Sequence, residues 1–214
     1  MSYNFDFSNT GAKRGYDVLR PVANFLIKTK YKVTYEGLDN LPEGGGYIVA
    51  ANHITALDPV IIAVGMGKPL HFMAKNELFQ NKLMGWFFTQ INAFPVDRSR
   101  FDEDAINYAV NIVKEGSILG IFPEGTRSPD FTPKKGKGGV CYIAKVCKCD
   151  VVPVSIYTCD NAKTGTKLTV RFGKTIKHEE LNFDPESMRM KDLRYATGLI
   201  MERITELWGK GHGN

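Results

Sequence analysis

One stretch decides the fold, residues 91–127, which reads INAFPVDRSRFDEDAINYAVNIVKEGSILGIFPEGTR. Residues 91–96 and 117–122 are apolar runs of strand length. Between them, residues 102–115 carry apolar side chains at helical spacing and are closed by Gly116. A strand, a helix and a strand in this order predict a β-α-β unit, whose strands run parallel through a right-handed crossover.

Parallel strands would place charged residues together at one edge of the sheet. Arg98 follows the first strand of the unit, and the turn Pro123–Arg127 follows the second. In open α/β sheets, ligands bind beyond the carboxyl ends of the strands. We therefore expect the functional site at this edge.

Two earlier apolar runs, residues 47–50 and 70–74, are predicted to join the same sheet. The second is followed by Lys75, and the first by His53 and Asp58. On one continuous helix residues five apart diverge by about 140°, so this pair could not meet there. It can meet if His53 lies in a turn and Asp58 starts the next helix, as the Asp-Pro sequence favours. The alternatives are a plain N-cap for Asp58 and a structural role for His53.

The remaining pattern predicts an α/β fold. It is a single domain over residues 1–214, with a central mixed, largely parallel β-sheet flanked by helices. Further strands are expected at residues 32–35, 151–157 and 168–172, and further helices at residues 59–66, 77–89, 140–146 and 185–208. The apolar and aromatic helix at 77–89 is expected to belong to the core or to line an apolar site.

Bulk composition excludes several classes of protein. The chain has 214 residues, 43% hydrophobic and 24% charged, as in ordinary globular proteins. Its longest apolar run, residues 60–66, is too short to span a bilayer, and the start lacks the pattern of a secretory signal. We expect a protein of the cytosol or of the cytosolic face of a membrane. The four cysteines are expected to be reduced thiols rather than zinc ligands.

Residues 13–32 form a basic amphipathic segment. It holds six cations against one acid, and it carries Leu19, Val22, Ala23 and Leu26 at helical spacing. Such a helix is typical of a segment that lies on an anionic membrane surface. Pro21 is expected to kink this helix or to start it. The alternative is a helix packed on the core with a solvated basic face.

The residues at the carboxyl edge suggest proton abstraction from an anionic substrate. Arginine matches phosphate oxygens in a bidentate way, lysine adds a point charge, and histidine is the commonest general base. The motifs G-x-S-x-G, G-x-x-x-x-G-K-[ST] and G-x-G-x-x-G are absent. A substrate hydroxyl could itself be the nucleophile, with the histidine taking its proton. Alternatively, the arginines could have only structural roles, in an ion pair of Arg127 with Glu124 and one of Arg98 with Asp97.

Four blocks of the sequence resemble the glycerolipid acyltransferases, in particular those that acylate 1-acyl-sn-glycerol 3-phosphate. Residues 52–59 match the first block, the H-x-x-x-x-D motif, and residues 94–98 are similar to the second. Residues 122–128, FPEGTRS, match the third, and residues 152–154 are similar to the fourth. The resemblance spans roughly residues 30–172.

The resemblance implies a glycerol-3-phosphate acyltransferase-like fold and an O-acyltransferase of phospholipid biosynthesis. His53 would be the general base, oriented by Asp58, and the acceptor hydroxyl would attack an acyl thioester directly to make phosphatidic acid. The acceptor's phosphate would be bound by the following residues: Arg127, Lys75, Arg98, Glu124, Gly125 and Thr126. The donor would be acyl-CoA or acyl carrier protein and the acceptor lysophosphatidate. No metal, further cofactor or nucleic acid is expected, and attachment to the cytoplasmic face of the cell membrane would be peripheral.

Other functions remain open at this point. The acceptor could be glycerol 3-phosphate or another lysophospholipid. The same histidine and aspartate could instead serve a hydrolase of acyl thioesters that uses water. A non-catalytic module that binds lipid surfaces or nucleic acid would need the basic residues but not the histidine–aspartate pair.

Overall fold

The structure is a computed structural model that describes residues 3–11, 15–100, 102–160, 162–184 and 190–212. The strands are β1 Lys32–Glu36, β2 Ile48–Ala51, β3 His71–Lys75, β4 Ala93–Val96, β5 Leu119–Ile121, β6 Val151–Tyr157 and β7 Lys167–Phe172. The α-helices are α1 Gly15–Lys30, α2 Asp58–Met66, α3 Lys82–Gln90, α4 Glu103–Lys114, α5 Gly139–Cys147 and α6 Met190–Gly209. Short 3-10 helices lie at Leu38–Asn40, Asn76–Phe79 and His178–Leu181.

All seven strands form one mixed sheet in the order β1-β7-β6-β2-β5-β3-β4. The five strands from β6 to β4 run parallel, whereas β7 is antiparallel to β6 and β1 is parallel to β7. The predicted fold class, a largely parallel mixed sheet flanked by helices, is confirmed. The C-terminal ends of the five parallel strands form one edge, which we call the carboxyl edge.

The β-α-β unit predicted from residues 91–122 is present, but its two strands are not neighbours. Strand β3 lies between β4 and β5 and is parallel to both. The sequence pattern indicated the direction of these strands, because a helix of twelve residues returns the chain to its starting edge. It held no information on which strand occupies the gap between them.

Helices cover both faces of the sheet. On one face, apolar residues of α4, α5 and α6 pack against β2, β4 and β5, with Phe94, Ile112 and Ile143 almost completely buried. On the other face, α1 and α2 cover a second cluster that includes Ile61, Ile62 and Leu168. The parallel strands are therefore buried on both sides, which accounts for their continuous apolar runs.

The prediction of one continuous helix at residues 77–89 is wrong. A 3-10 helix at Asn76–Phe79 is followed by α3, which begins only at Lys82. The reason is Asn81, whose side chain accepts hydrogen bonds from the amides of Leu83 at 2.9 Å and Met84 at 3.3 Å. This N-cap starts a new helix inside what looked like one apolar run.

Helix α1 crosses the second face of the sheet from one edge to the other. At its start, the Tyr16 hydroxyl donates to the carbonyl of Lys68, just before β3 begins. At its end, the Lys30 carbonyl accepts from the Gly165 amide at 2.7 Å. Gly165 precedes β7, which starts beside the end of β6, so α1 ends at the carboxyl edge. Pro21 lies inside this helix and does not start it.

Two predicted segments extend beyond the described residues. The basic segment was expected to start at residue 13, and residues 13 and 14 lie outside the described ranges. The C-terminal helix was expected from residue 185, and α6 is described from Met190 onward. The cysteines Cys141, Cys147, Cys149 and Cys159 are all free thiols.

Candidate active site

The turn between β2 and α2 brings His53 and Asp58 into contact. His53 lies two residues beyond the end of β2, and Asp58 is the first residue of α2. Nδ1 of His53 is 2.7 Å from Oδ2 of Asp58. The histidine side chain keeps 12% of its surface exposed, and the aspartate side chain keeps none. A buried carboxylate thus holds an imidazole that solvent can still reach.

The carboxylate of Asp58 points back into the turn and not along the helix that it begins. It accepts from the amides of Ile54 at 2.6 Å and Thr55 at 2.8 Å, and from the Thr55 hydroxyl at 2.7 Å. All its hydrogen bonds therefore come from residues 53–55, which argues against the plain N-cap alternative. Because a carboxylate only accepts, Nδ1 of His53 carries the proton and Nε2 keeps a free lone pair.

An aromatic stack supports the imidazole ring from the side. The ring of Phe122, which follows β5, lies 4.1 Å from the His53 ring at an interplanar angle of 18°. Phe72 stacks on Phe122 in turn, at 5.6 Å and 13°. The Asp58 hydrogen bond and this stack together fix both the rotation and the plane of the imidazole.

The backbone of His53 is held at both of its polar groups by the segment after β5. Its amide donates to Oε1 of Glu124 at 3.2 Å, and its carbonyl accepts from the Ser128 amide at 2.7 Å. Glu124 is only 4% exposed, and burial raises the pKa of its carboxyl to about 6, although hydrogen bonds from the His53 and Lys134 amides oppose this. We call this pair of contacts the His53 clamp.

Asn52 ties the same turn to the neighbouring strand. Its side chain is fully buried, accepts from the Ile156 amide at 2.7 Å and donates to the Ile156 carbonyl at 2.9 Å. This paired contact continues the β2–β6 ladder beyond the last paired residues of the strands. The turn that carries His53 is consequently fixed to both neighbours of β2.

Two cationic side chains follow the ends of β4 and β3 at the carboxyl edge. Nη1 of Arg98, after β4, donates to the Gly125 carbonyl at 3.2 Å. Partial burial lowers the pKa of Arg98, the charge of Glu77 opposes this, and the charge of Arg127 adds to it. Lys75, at the end of β3, forms an exposed ion pair with Glu77 at 2.8 Å.

Gly125 lies close to the side chain of another cation, Lys137. Its φ of +72° is a left-handed conformation, and a Cβ there would lie 3.1 Å from Nζ of Lys137. The Lys137 amide donates to the Pro123 carbonyl at 2.8 Å, which holds the basic loop against the turn after β5. Thr126 and Arg127 are exposed on this turn. The structure therefore brings every predicted site residue to the carboxyl edge and adds Lys137.

The alternative ion pairs of Arg98 with Asp97 and of Arg127 with Glu124 do not fit the contacts. Asp97 accepts from Arg100 at 3.0 Å and from Ser99, and not from Arg98. Within the described part of the chain, Arg127 makes no ion pair with Glu124, whose carboxylate faces the His53 amide instead. Neither predicted ion pair is therefore present, and the Arg98 guanidinium instead donates to the Gly125 carbonyl.

Four contributors were not assigned from the sequence: Asn52, Phe122, Ser128 and Lys137. All but Lys137 lie within the blocks that carry the family resemblance, but their contacts depend on residues more than 60 positions away. Spacing along the chain carries no signal for such contacts. Glu124 was expected at the acceptor phosphate, and in the structure its carboxylate accepts a hydrogen bond from the backbone of His53.

Among the residues whose structure is described, no three His, Cys, Asp or Glu side chains come together as a metal site. In the same part of the chain, each helix is too short or too polar to cross a bilayer.

The fold and the site together define a class of protein. A histidine held by a buried carboxylate lies at the carboxyl edge of an α/β sheet, and arginine and lysine side chains lie at the same edge. This arrangement suits an enzyme that takes a proton from an anionic substrate.

Comparisons with known proteins specify the class further. The family model described as Acyltransferase matches residues 32–157. The chain is 34% identical over 176 residues to the 1-acyl-sn-glycerol-3-phosphate acyltransferase of Bacillus subtilis, covering 80% of this chain and 86% of that one. It is 38% identical over 149 residues to the enzyme of the same name from Streptococcus pneumoniae, covering 68% of this chain and 55% of that one. The chain belongs to the acyltransferase family.

A solved structure shares the fold. The crystal structure of the 1-acyl-sn-glycerophosphate acyltransferase PlsC from Thermotoga maritima superposes with a TM-score of 0.71 at 24% identity. The match covers 93% of this chain and 81% of that one.

Proposed function

We propose that this protein transfers an acyl group from an acyl thioester to the free hydroxyl of lysophosphatidate, making phosphatidic acid. The observation that carries the proposal is the 2.7 Å contact of His53 with a fully buried Asp58, placed among cations at the carboxyl edge. The names of the similar proteins from Bacillus and Streptococcus support this choice of acceptor.

The reaction follows from the protonation state of His53. Nε2 takes the proton of the acceptor hydroxyl as its oxygen attacks the thioester carbonyl, and the resulting imidazolium is stabilised by Asp58. The tetrahedral intermediate then collapses, the carbon–sulfur bond breaks, and the departing thiolate takes the proton from the imidazolium. The histidine returns to its starting state, with one ester formed and one thiol released.

The cations would position the acceptor. Arg127 is exposed and unpaired by Glu124, so its planar fork is available for two phosphate oxygens. Arg98 is already oriented by the Gly125 carbonyl, and Lys137 lies against the same glycine. Lys75, at the end of β3, would add a further positive charge. The residues need no metal or further cofactor for these steps. The donor is the thioester of coenzyme A or of acyl carrier protein.

A transfer assay with a labelled thioester tests the proposal. We expect lysophosphatidate to be acylated in preference to glycerol 3-phosphate, other lysophospholipids and monoacylglycerol. His53→Ala should lower kcat by several orders of magnitude and leave acceptor affinity nearly unchanged, because the base acts mainly in the transition state. Release of free fatty acid without transfer would instead indicate a thioester hydrolase.

We also propose that α1 attaches the protein peripherally to an anionic membrane surface, such as the cytoplasmic face of the cell membrane. Four large apolar side chains of this helix are exposed: Val18 by 73%, Val22 by 53%, Phe25 by 66% and Leu26 by 58%. Lys28 and Lys30 lie in its last turn, at the carboxyl edge. The opposite side of α1 packs on the core through Tyr16 and Ile27, with Leu19 and Ala23 half-buried.

Charge reversal tests this attachment. The variant with Lys28, Lys30 and Lys32 changed to Glu should leave anionic vesicles, since each cation near such a surface contributes about 1 kcal/mol. Activity on detergent-dispersed lysophosphatidate should be retained. Vesicle binding equal to that of the parent would contradict the surface role of α1.

A further inference from the structure

Helix α3 presents a second exposed apolar face. Leu83 is 78% exposed, Trp86 57%, Met84 44% and Phe87 40%, and Leu78 just before the helix is 41% exposed. At 100° per residue the four helical side chains fall within an arc of about 160°. Gly85, on the opposite side, is buried where a Cβ would meet the Tyr3 ring. The helix is thus anchored by one side and turns its largest apolar residues outward.

The stretch that carries this face has few charged residues. From Leu78 to Val96 the only charged residue is Lys82, and the stretch contains no acid. An exposed cluster of Leu, Met, Trp and Phe is unfavourable in water and suits the boundary between headgroups and acyl chains, where Trp is enriched. The carboxylate nearest in sequence, Glu77, is paired with Lys75. Anionic headgroups would also match the cations of the carboxyl edge.

The position of α3 connects this face to the site. The helix follows Lys75 at the end of β3, so its first turn, with Leu83 and Met84, lies toward the carboxyl edge. Its last residue, Gln90, contacts the start of α1, where a Cβ on Gly15 would lie 2.9 Å from the Gln90 Cβ. The exposed face of α3 therefore adjoins the start of α1, the helix that we propose to bind membranes. It lies nearer to the phosphate-binding cations than the start of α1 does.

We infer that α3 is a second membrane-insertion element, which seats the carboxyl edge on the bilayer so that lysophosphatidate reaches His53 without leaving the lipid phase. The inference rests on the proposed lipid acceptor and is independent of the charge contribution of α1. The outer face of α3 enters the interface by its apolar side chains, and the inner face stays packed on the protein.

Intrinsic fluorescence offers a direct measurement, because the chain has two tryptophans and one is on α3. Trp208→Phe leaves Trp86 as the only reporter. On vesicles of phosphatidylcholine with phosphatidylglycerol, we expect Trp86 emission to shift to shorter wavelength and to be quenched by brominated acyl chains. Bound protein whose Trp86 emission does not change would overturn the inference.

A matched pair of variants tests the contribution to binding. Leu83→Ser with Trp86→Ser should weaken vesicle binding about ten- to a hundredfold, since two large side chains lose their insertion. Leu38→Ser with Tyr195→Ser is the control, because these residues are 39% and 58% exposed but lie outside α1 and α3, and it should bind like the parent. Equal binding by the α3 variant would refute the inference.

Activity separates this inference from the proposed reaction. The α3 variant should acylate detergent-dispersed lysophosphatidate like the parent, but should be slow on lysophosphatidate embedded in vesicles. If the parent itself shows no activity in either assay, that result would contradict the acyltransferase proposal instead. If the parent sediments as a dimer that the α3 variant abolishes, the face joins two copies of the chain, and the membrane assignment falls.

Discussion

Asp58→Asn is the most informative single change, because the structure fixes how the new side chain must sit. Oδ2 of Asp58 accepts from two backbone amides, those of Ile54 and Thr55, in addition to His53. An amide NH₂ cannot take that position beside two donors, so the asparagine oxygen must. Thr55 can rotate its hydroxyl to accept from the NH₂ group. The imidazole keeps its orientation and its tautomer, and only the negative charge is lost.

The magnitude follows from that lost charge. The imidazolium formed in the transition state and the carboxylate are unit charges in contact, with Nδ1 2.7 Å from Oδ2. Their charge centres are then about 4 Å apart. At an effective dielectric constant of about 20 they attract each other by about 4 kcal/mol. Removing this attraction should lower kcat about a thousandfold, because each 1.36 kcal/mol is a factor of about ten. This is less than the roughly 10⁴-fold loss in a serine-protease triad, where the corresponding change also sets the wrong tautomer.

The assay is steady-state acyl transfer to detergent-dispersed lysophosphatidate, with the melting temperature measured in parallel. We expect kcat to fall, KM to stay within a few-fold, and the fold to remain intact. Asp150→Asn is the matched control, since Asp150 also accepts from a backbone amide and a cationic side chain but lies before β6, away from the carboxyl edge. A kcat within tenfold of the parent in folded Asp58→Asn would refute the charge argument.

Four other outcomes are expected. Arg127→Lys should lower kcat/KM for lysophosphatidate about ten- to a hundredfold through loss of a charge-assisted contact and should hardly affect the already poor monoacylglycerol; equal losses with lowered stability would contradict a phosphate role. Phe122→Leu should lower kcat about three- to tenfold without raising KM, because the His53 ring loses its stacking partner; a change confined to KM would count against this. Burial raises the pKa of the Glu124 carboxyl from 4.5 to about 6, so the folded protein holds this proton more tightly than the unfolded chain. The free energy of unfolding should therefore fall by about 2 kcal/mol as the pH rises between those values. In urea unfolding Glu124→Gln should lack this fall, and an unchanged pH dependence in the variant would speak against it. Chelator should leave activity unchanged, and loss restored by a divalent metal would contradict a metal-free reaction.

Much of the fold was predictable because the parallel strands are buried on both faces. Continuous apolar runs marked β2, β5 and β6, and the punctuation by Gly116 and by Asp58-Pro59 marked where helices end and begin. Strand order was not predictable, since nothing in residues 91–122 shows that β3 inserts between β4 and β5. The break at Asn81 was also missed, because an asparagine inside an apolar run has no effect on periodicity.

The candidate site was predictable to the extent that it depends on strand ends. Polar residues directly after parallel strands must meet at one edge, and this placed His53, Lys75 and Arg98 together without any contact being known. The distribution of contacts within the edge depends on side-chain direction. Glu124 faces the His53 amide and leaves Arg127 unpaired, and a sequence pattern does not contain that choice.

The His53 clamp has a consequence for protein design. The motif H-x-x-x-x-D is compact in sequence, yet the peptide at His53 obtains its hydrogen bonds from Glu124 and Ser128, more than 70 residues away. Grafting only the six-residue motif onto another α/β scaffold would transfer the two side chains but leave a backbone amide and a carbonyl without partners. Buried polar groups of this kind cost about 1–3 kcal/mol each when unsatisfied, so the grafted turn would relax and turn the imidazole away. The smallest transplantable unit is therefore a pair of adjacent strand ends, β2 and β5, with both of their turns.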